Sequence, residues 1–159
     1  MMLSEGDLVP DVQLEGMEGQ KISPADFRGQ KLVIYFYPKD DTSGCTREAQ
    51  DFTALAEEFE RSGTWVLGVS KDDAKKHRKF TDKYELKIPL ATDLDGSVCE
   101  AFGTWIHKSM YGRKYMGIER ATFLVDRDGR IERVWRNVKV PGHAEEVLQA
   151  ARELKGRGS

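Results

Sequence analysis

The sequence predicts an α/β sandwich: a mixed central sheet with helices on both faces. Two observations carry this expectation. Apolar strand-like runs alternate with helix-period segments over the first two-thirds of the chain. A β-hairpin pattern and one more amphipathic helix then close it, which puts an antiparallel pair at one side of the sheet. With 159 residues the chain fits one domain and has enough material for a sizeable core.

The elements follow in order. Leu8 to Leu14 reads as a short strand interrupted by Pro10. Ser23-Pro24-Ala25-Asp26-Phe27 reads as a helical turn, with Ser23 as cap and Pro24 at the first helical position. Leu32 to Tyr37 is continuously apolar, the pattern of a strand buried on both faces. A helix from Cys45 to Arg61 is expected next, with Ala49, Phe52, Leu55, Ala56 and Phe59 on its inward stripe. Thr64 to Val69 is a second buried strand. Asp72 or Asp73 caps a helix bearing Phe80 and Tyr84 on one face. Pro89 to Thr92 is a short strand, and Asp95-Gly96-Ser97 turns into a short helix with Val98, Ala101 and Phe102. Gly103 to Gly117 reads as irregular. Ala121 to Val125 and Arg130 to Val138 form the hairpin around Asp126-Arg127-Asp128-Gly129. Ala144, Val147, Leu148, Ala151 and Leu154 mark the final helix, and the polar tail Lys155 to Ser159 is expected to fray.

Composition excludes several classes. Lys and Arg total 25 against 27 Asp and Glu, a net charge of −2, which gives no footing for a nucleic-acid partner. The longest apolar run, Leu32 to Tyr37, falls far short of the ~20 residues a membrane-spanning helix needs. No charged segment followed by an apolar one opens the chain, so no signal peptide is expected. Cys45 and Cys99 alone do not make a secreted disulfide framework, so a cytoplasmic, reducing location is expected. There is no CxxC, no metal-ligand spacing, no P-loop and no GxGxxG.

Cys45 is the residue that points to chemistry. It follows Tyr37-Pro38-Lys39-Asp40-Asp41-Thr42-Ser43-Gly44 and opens an amphipathic helix. Unpaired N–H groups at a helix N-terminus carry partial positive charge and stabilise thiolate, the reactive form. The Thr42 hydroxyl can cap that helix or face the same pocket, and the rigid Pro38 ring can shield the sulfur from water. The stretch alone leaves two readings open: a nucleophile, or a buried structural thiol behind an ordinary cap.

The motif Pro38-x-x-x-Thr42-x-x-Cys45 resembles the peroxiredoxin active-site pattern. The likeness continues in order through Tyr35 to Lys39, Gly44 to Thr46, Leu67 to Ser70, Asp95-Gly96, Glu100 to Gly103 and Gly117 to Gly129. It looks specifically like the bacterioferritin comigratory protein, or peroxiredoxin Q, branch, and the likeness runs from about Gly6 to Leu154. The resemblance implies a thioredoxin-like fold and a thiol-dependent peroxidase acting on hydrogen peroxide and organic hydroperoxides. Cys45 would be the peroxidatic nucleophile, oxidised to a sulfenic acid. Thr42, the Cys45 N–H and Arg120 would support charge on the leaving oxygen, with Glu48 orienting Arg120. No metal, flavin or haem is implied. The partners would be the hydroperoxide and a thiol reductant such as thioredoxin, with no nucleic acid and no membrane. A monomer is expected.

The sequence also departs from the branch. Gln50 stands where many relatives carry a resolving cysteine, and residues 75–84 hold no cysteine either. Ser43 stands where proline is common. Cys99 reads as a structural thiol, disfavoured as a resolving partner. One-Cys behaviour with external reduction is therefore expected. The rivals are an interaction or chaperone-like protein with a vestigial site, and a disulfide oxidoreductase, which the lack of CxxC disfavours. His77, His107 and His143 read as scattered, so a Cys–His acyl-transfer site is a weak alternative. The run from Lys71 to Lys79 reads as a solvated helix face, and Trp65, Trp105 and Trp135 as packing residues.

Overall fold

Burial of β3 (Lys31–Phe36) on both faces organises the molecule. In a strand, successive side chains point to opposite faces. Val33 and Tyr35, with Tyr37 just beyond, pack with Phe52, Phe59, Phe80 and Val147. Leu32, Ile34 and Phe36 pack on the other side with Val98, Cys99, Phe102 and Phe123. Each fully buried Leu or Phe contributes roughly 1.5–3 kcal/mol, so both helical layers are anchored through this one strand.

The structure, a computed structural model, describes residues 3–154. Before β3 come β1 (Leu14–Gly16), β2 (Lys21–Ile22) and a 3₁₀ turn at Pro24–Phe27. After it come α1 (Ser43–Ala54), α2 (Ala56–Arg61), β4 (Thr64–Ser70), α3 (Ala74–Tyr84), β5 (Leu90–Thr92) and α4 (Ser97–Ala101). The chain closes with β6 (Trp105–Met110), β7 (Arg113–Ile118), β8 (Ala121–Val125), β9 (Ile131–Trp135) and α5 (His143–Glu153). The main sheet runs β2-β1-β5-β4-β3-β8-β9. β3 pairs parallel with β4 and antiparallel with β8, and β4 pairs parallel with β5. The expected mixed sheet, with helices on both faces and the β8–β9 hairpin at one edge, is the observed architecture. Among the described residues no helix is long and apolar enough to cross a membrane. The expected frayed tail lies outside the described residues.

Three local expectations are corrected. The first strand is displaced: Leu8 makes only an isolated bridge to Arg130, and pairing begins at Leu14, beyond Pro10. The helix expected from Cys45 to Arg61 starts at Ser43 and breaks at Leu55, whose ψ of 7° departs from helical geometry. The segment from Gly103 to Gly117, expected to be irregular, forms the separate β6–β7 hairpin. Its loop is Tyr111-Gly112, with φ of 52° and 78°, the two positive values of a type I′ turn. A tyrosine in a position that favours asparagine or glycine conceals that turn from sequence reasoning. Trp65 packs on Phe27 as expected, although it stays 49% exposed.

His143 is also buried, between the edges of Phe52 and Trp135, with Nε2 2.8 Å from Thr122 Oγ1. Burial pushes its pKa down to about 4. The unfolded chain, with an ordinary histidine near 6.5, then binds the extra proton first. The stabilisation from neutral His143 is complete above about pH 6.5 and is lost as pH falls through about 4. Urea denaturation should show the stability difference between wild type and His143→Gln shrinking across that interval. A constant difference would contradict this account.

Candidate active site

Strand pairing decides which residues meet. β3 delivers Tyr37 and the loop Pro38–Thr42 to the start of α1, where Thr42 is the backbone N-cap and Cys45 lies in the first turn. The first intrahelical bond runs from the Thr46 N–H to the Thr42 carbonyl at 2.8 Å. The N–H groups of Ser43, Gly44 and Cys45 therefore precede the helical ladder, as at any helix start. On the far side of β3, Ala121 of β8 pairs with Phe36. That register sets Arg120, one residue earlier, at the same end of the sheet. The Arg120 backbone is fixed in turn, its carbonyl accepting from Val138 N–H at 3.0 Å.

The side chains then converge. Arg120 Nη2 lies 3.4 Å from Cys45 Sγ, and Arg120 Nη1 donates to Glu48 Oε1 at 2.7 Å. Cys45 and Glu48 are each only 1% exposed. Burial raises the Glu48 pKa to about 7, with the neighbouring guanidinium pulling the other way. Partial burial opposes the Arg120 charge, but Glu48 and Cys45 together raise its pKa above the usual value. Gly44 makes room for this arrangement: a Cβ there would stand 3.1 Å from Arg120 Nη2. Glu48 Oε2 and Tyr35 Oη are buried without a hydrogen-bond partner among the described residues. Burial, followed by the charges of Glu48 and Cys45, drives the Tyr35 hydroxyl pKa well upward, so that group stays neutral.

The remaining expected residues occupy distinct positions. Thr42 makes no side-chain cap; its Oγ1 instead donates to the Lys39 carbonyl at 3.0 Å. Pro38 is half-buried beside the loop. Cys99 is fully buried in the opposite layer of the sheet from Cys45, its N–H held by Asp93 Oδ2 at 2.7 Å. Burial, reinforced by Asp93, raises the Cys99 thiol pKa far above the ordinary range. His107 is exposed on β6. His77 is fully buried and bonded to Asp40, so the run from Lys71 to Lys79 is not uniformly a solvated face.

Sequence reasoning also missed Lys108. Burial first, then the Arg120 charge, lowers its pKa, while Cys45 and Glu119 act in the opposite sense. It is a second cation within electrostatic reach of the sulfur, carried by the hairpin that was expected to be irregular. Among the described residues no cluster of three or more His, Cys, Asp or Glu is arranged to hold a metal ion. The site's chemical resources are thus a buried thiol, a guanidinium braced by a buried carboxylate, and a helix N-terminus.

Comparison with known families identifies the chain. A family model described as the AhpC/TSA family matches residues 6–134. The chain belongs to that family. Peroxiredoxin Bcp of Bacillus subtilis is 42% identical over 97% of this chain and 98% of its own length. Peroxiredoxin Bcp of Escherichia coli is 40% identical over 95% and 97%. The solved bacterioferritin comigratory protein of Xanthomonas campestris, whose alkyl peroxide reduction activity was under study, superimposes with a TM-score of 0.86 at 43% identity, covering 92% of this chain and 95% of that one. These relatives place the chain in the Bcp, or peroxiredoxin Q, branch of the peroxiredoxins, thiol-dependent peroxidases of thioredoxin-like fold.

Arg120→Ala removes the guanidinium donor 3.4 Å from the sulfur while leaving the β3–β8 backbone pairing in place. Loss of one such preorganised donor typically costs about 10²–10³ in rate. Stopped-flow measurement should show peroxide reduction slowed on that scale, and the urea midpoint should fall as well, because Glu48 is left buried without its partner. An unchanged second-order rate constant would remove Arg120 from the chemistry.

Proposed function

We propose that Cys45 is the peroxidatic nucleophile and that the protein reduces hydrogen peroxide and small organic hydroperoxides. The observation that carries this reading is the 3.4 Å approach of Arg120 Nη2 to Cys45 Sγ in the first turn of α1. The thiolate attacks one peroxide oxygen. A sulfur–oxygen bond forms, the O–O bond breaks, and the departing oxygen takes up a proton to leave as water or an alcohol. Cys45 is left as a sulfenic acid. Negative charge moves from sulfur to the leaving oxygen, so donors must already stand where it arrives. Arg120 and the free N–H groups at the start of α1 supply them.

Supporting roles follow from position. Glu48 braces Arg120 through Nη1, leaving Nη2 for the sulfur and the substrate. Thr42 donates its proton to Lys39, so its oxygen lone pairs can accept a hydrogen bond from the peroxide O–H. Pro38 limits water at the mouth of the site. The alkyl peroxide reduction activity of the Xanthomonas campestris relative supports the hydroperoxide class.

For the second half-reaction we propose one-Cys behaviour. Gln50 is exposed on α1, α3 carries no cysteine, and Cys99 packs behind the sheet. A disulfide needs Cα atoms within roughly 7 Å, and two thiols in opposite layers of a packed sheet meet only after unfolding. An external thiol, from thioredoxin or a small molecule, therefore attacks the sulfenic sulfur and releases water. A second thiol then frees Cys45 from the mixed disulfide. The protein works as a monomer in the cytoplasm under this reading.

One experiment tests both halves. Wild-type protein should consume hydrogen peroxide with dithiothreitol or thioredoxin, and Cys45→Ser should not. After one equivalent of peroxide with a sulfenic-acid trap, intact mass should show a single adduct on Cys45. Activity in Cys45→Ser equal to wild type would refute the nucleophile, and a dominant Cys45–Cys99 disulfide would refute one-Cys behaviour.

A further inference from the structure

The loop that delivers Cys45 is clamped to α3 at two successive residues. Asp41 adopts a φ of 61°, a left-handed conformation disfavoured for a residue with a side chain. Its carboxylate accepts from Lys83 Nζ at 2.8 Å and Tyr84 Oη at 2.7 Å, at the C-terminal end of α3. Asp40 turns inward and is buried. Its N–H donates to Asp72 Oδ2 at 2.7 Å, and its Oδ1 accepts from Tyr37 Oη at 2.5 Å. Its Oδ2 lies 2.7 Å from Nδ1 of His77, which is 0% exposed. Asp72 is itself held by the Ser70 hydroxyl at 2.7 Å.

Counting protons shows what this clamp requires. His77 Nε2 lies 3.1 Å from the Ala91 carbonyl, which can only accept, so Nε2 carries a proton. Tyr37 already supplies the proton at Asp40 Oδ1. The 2.7 Å contact between Nδ1 and Oδ2 then needs a proton of its own, because two bare acceptors at that distance repel. The pair therefore holds one proton more than a neutral imidazole and a carboxylate do together. Such a charge-assisted bond in a buried setting is strong, and removing either partner is costly.

We propose that His77 is a positioning residue for the Cys45 reaction: through the proton it shares with Asp40, it pins the Pro38–Thr42 loop to α3 and seats Cys45 opposite Arg120. The proposal rests on Cys45 being the nucleophile. Asp40 lies two residues before Thr42, whose carbonyl receives the first hydrogen bond of α1. A shift of the loop therefore moves the helix start and the sulfur with it. His77 makes no hydrogen bond to the sulfur or to Arg120; it acts on the site through Asp40 and through Tyr37, whose hydroxyl lies 3.4 Å from Nδ1.

The test compares three proteins. His77→Leu deletes the shared proton. Asp40→Asn replaces it, because the amide N–H donates to the bare Nδ1 of a neutral His77 while the amide oxygen still accepts from Tyr37. Stopped-flow peroxide reduction should slow by about 10- to 100-fold in His77→Leu, the scale of a small misplacement of a reacting group. Asp40→Asn should recover most of that loss. Nitrogen-15 NMR of the wild type should show protons associated with both His77 ring nitrogens, and of Asp40→Asn with Nε2 only. A wild-type rate in His77→Leu, or Asp40→Asn as slow as His77→Leu, would overturn the proposal. A wild-type Nδ1 without a proton would also overturn it, even if His77→Leu does not fold. Wild-type protein that fails to reduce peroxide at all would instead refute the nucleophile assignment.

Discussion

The Arg120 guanidinium holds the Cys45 sulfur and the Glu48 carboxyl group at once, and the rest of the site is arranged around it. One arm meets Cys45 Sγ and the other meets Glu48 Oε1. A planar fork with fixed donor directions can do this; the point charge of a lysine cannot hold two partners in a set geometry. Glu48 follows Cys45 by three positions on α1, so both partners project from nearly the same helix face. Burial raises the Glu48 pKa to about 7, and the adjacent guanidinium is what favours its charged form. The cation is in turn confined by the carboxylate, which keeps its second arm aimed at sulfur.

That arrangement constrains the fold on both sides. Arg120 reaches the helix start because β8 runs antiparallel to β3, with Ala121 beside Phe36. Slipping that register by one residue would turn every β8 side chain to the opposite face. The helix start is held from the other direction by the Asp40 and Asp41 contacts to α3. The same central strand also separates the two thiols. Cys45 shares its layer with Tyr35 and Phe52, whereas Cys99 shares the other with Phe36 and Phe102. The sheet thus places Cys45 and Cys99, the two cysteines of the sequence, in opposite layers.

Much of this was legible in the sequence, for physical reasons that differ by residue. The β-rich apolar run Leu32–Tyr37 fits a strand buried on both faces, and Pro, Thr, Gly and Cys after it mark a turn into a helix. Arg120 is less visible: a lone arginine before a strand says nothing by itself, and only the ordered likeness to known relatives singled it out. His77 stayed hidden because Lys75, Lys76, Arg78 and Lys79 around it are exposed, while burial falls on one face of α3 that the charges obscure. Lys108 stayed hidden because the β6–β7 hairpin turns at Tyr111-Gly112 without the usual asparagine. In both cases the informative interaction is with residues distant in sequence, a hydrogen bond to Asp40 for His77 and a charge interaction with Arg120 and Cys45 for Lys108, which local periodicity does not report.

A double-mutant cycle on Glu48 and Arg120 tests the central claim most directly, with the second-order rate constant for hydrogen peroxide as the readout. If Glu48 acts by aiming Arg120 at the sulfur, Glu48→Gln slows the wild type but has almost no further effect in Arg120→Ala, giving strong coupling between two contacting residues. Additive losses, with Glu48→Gln equally harmful in both backgrounds, would mean that Glu48 does not work through the guanidinium, and the account built on that shared cation would be wrong.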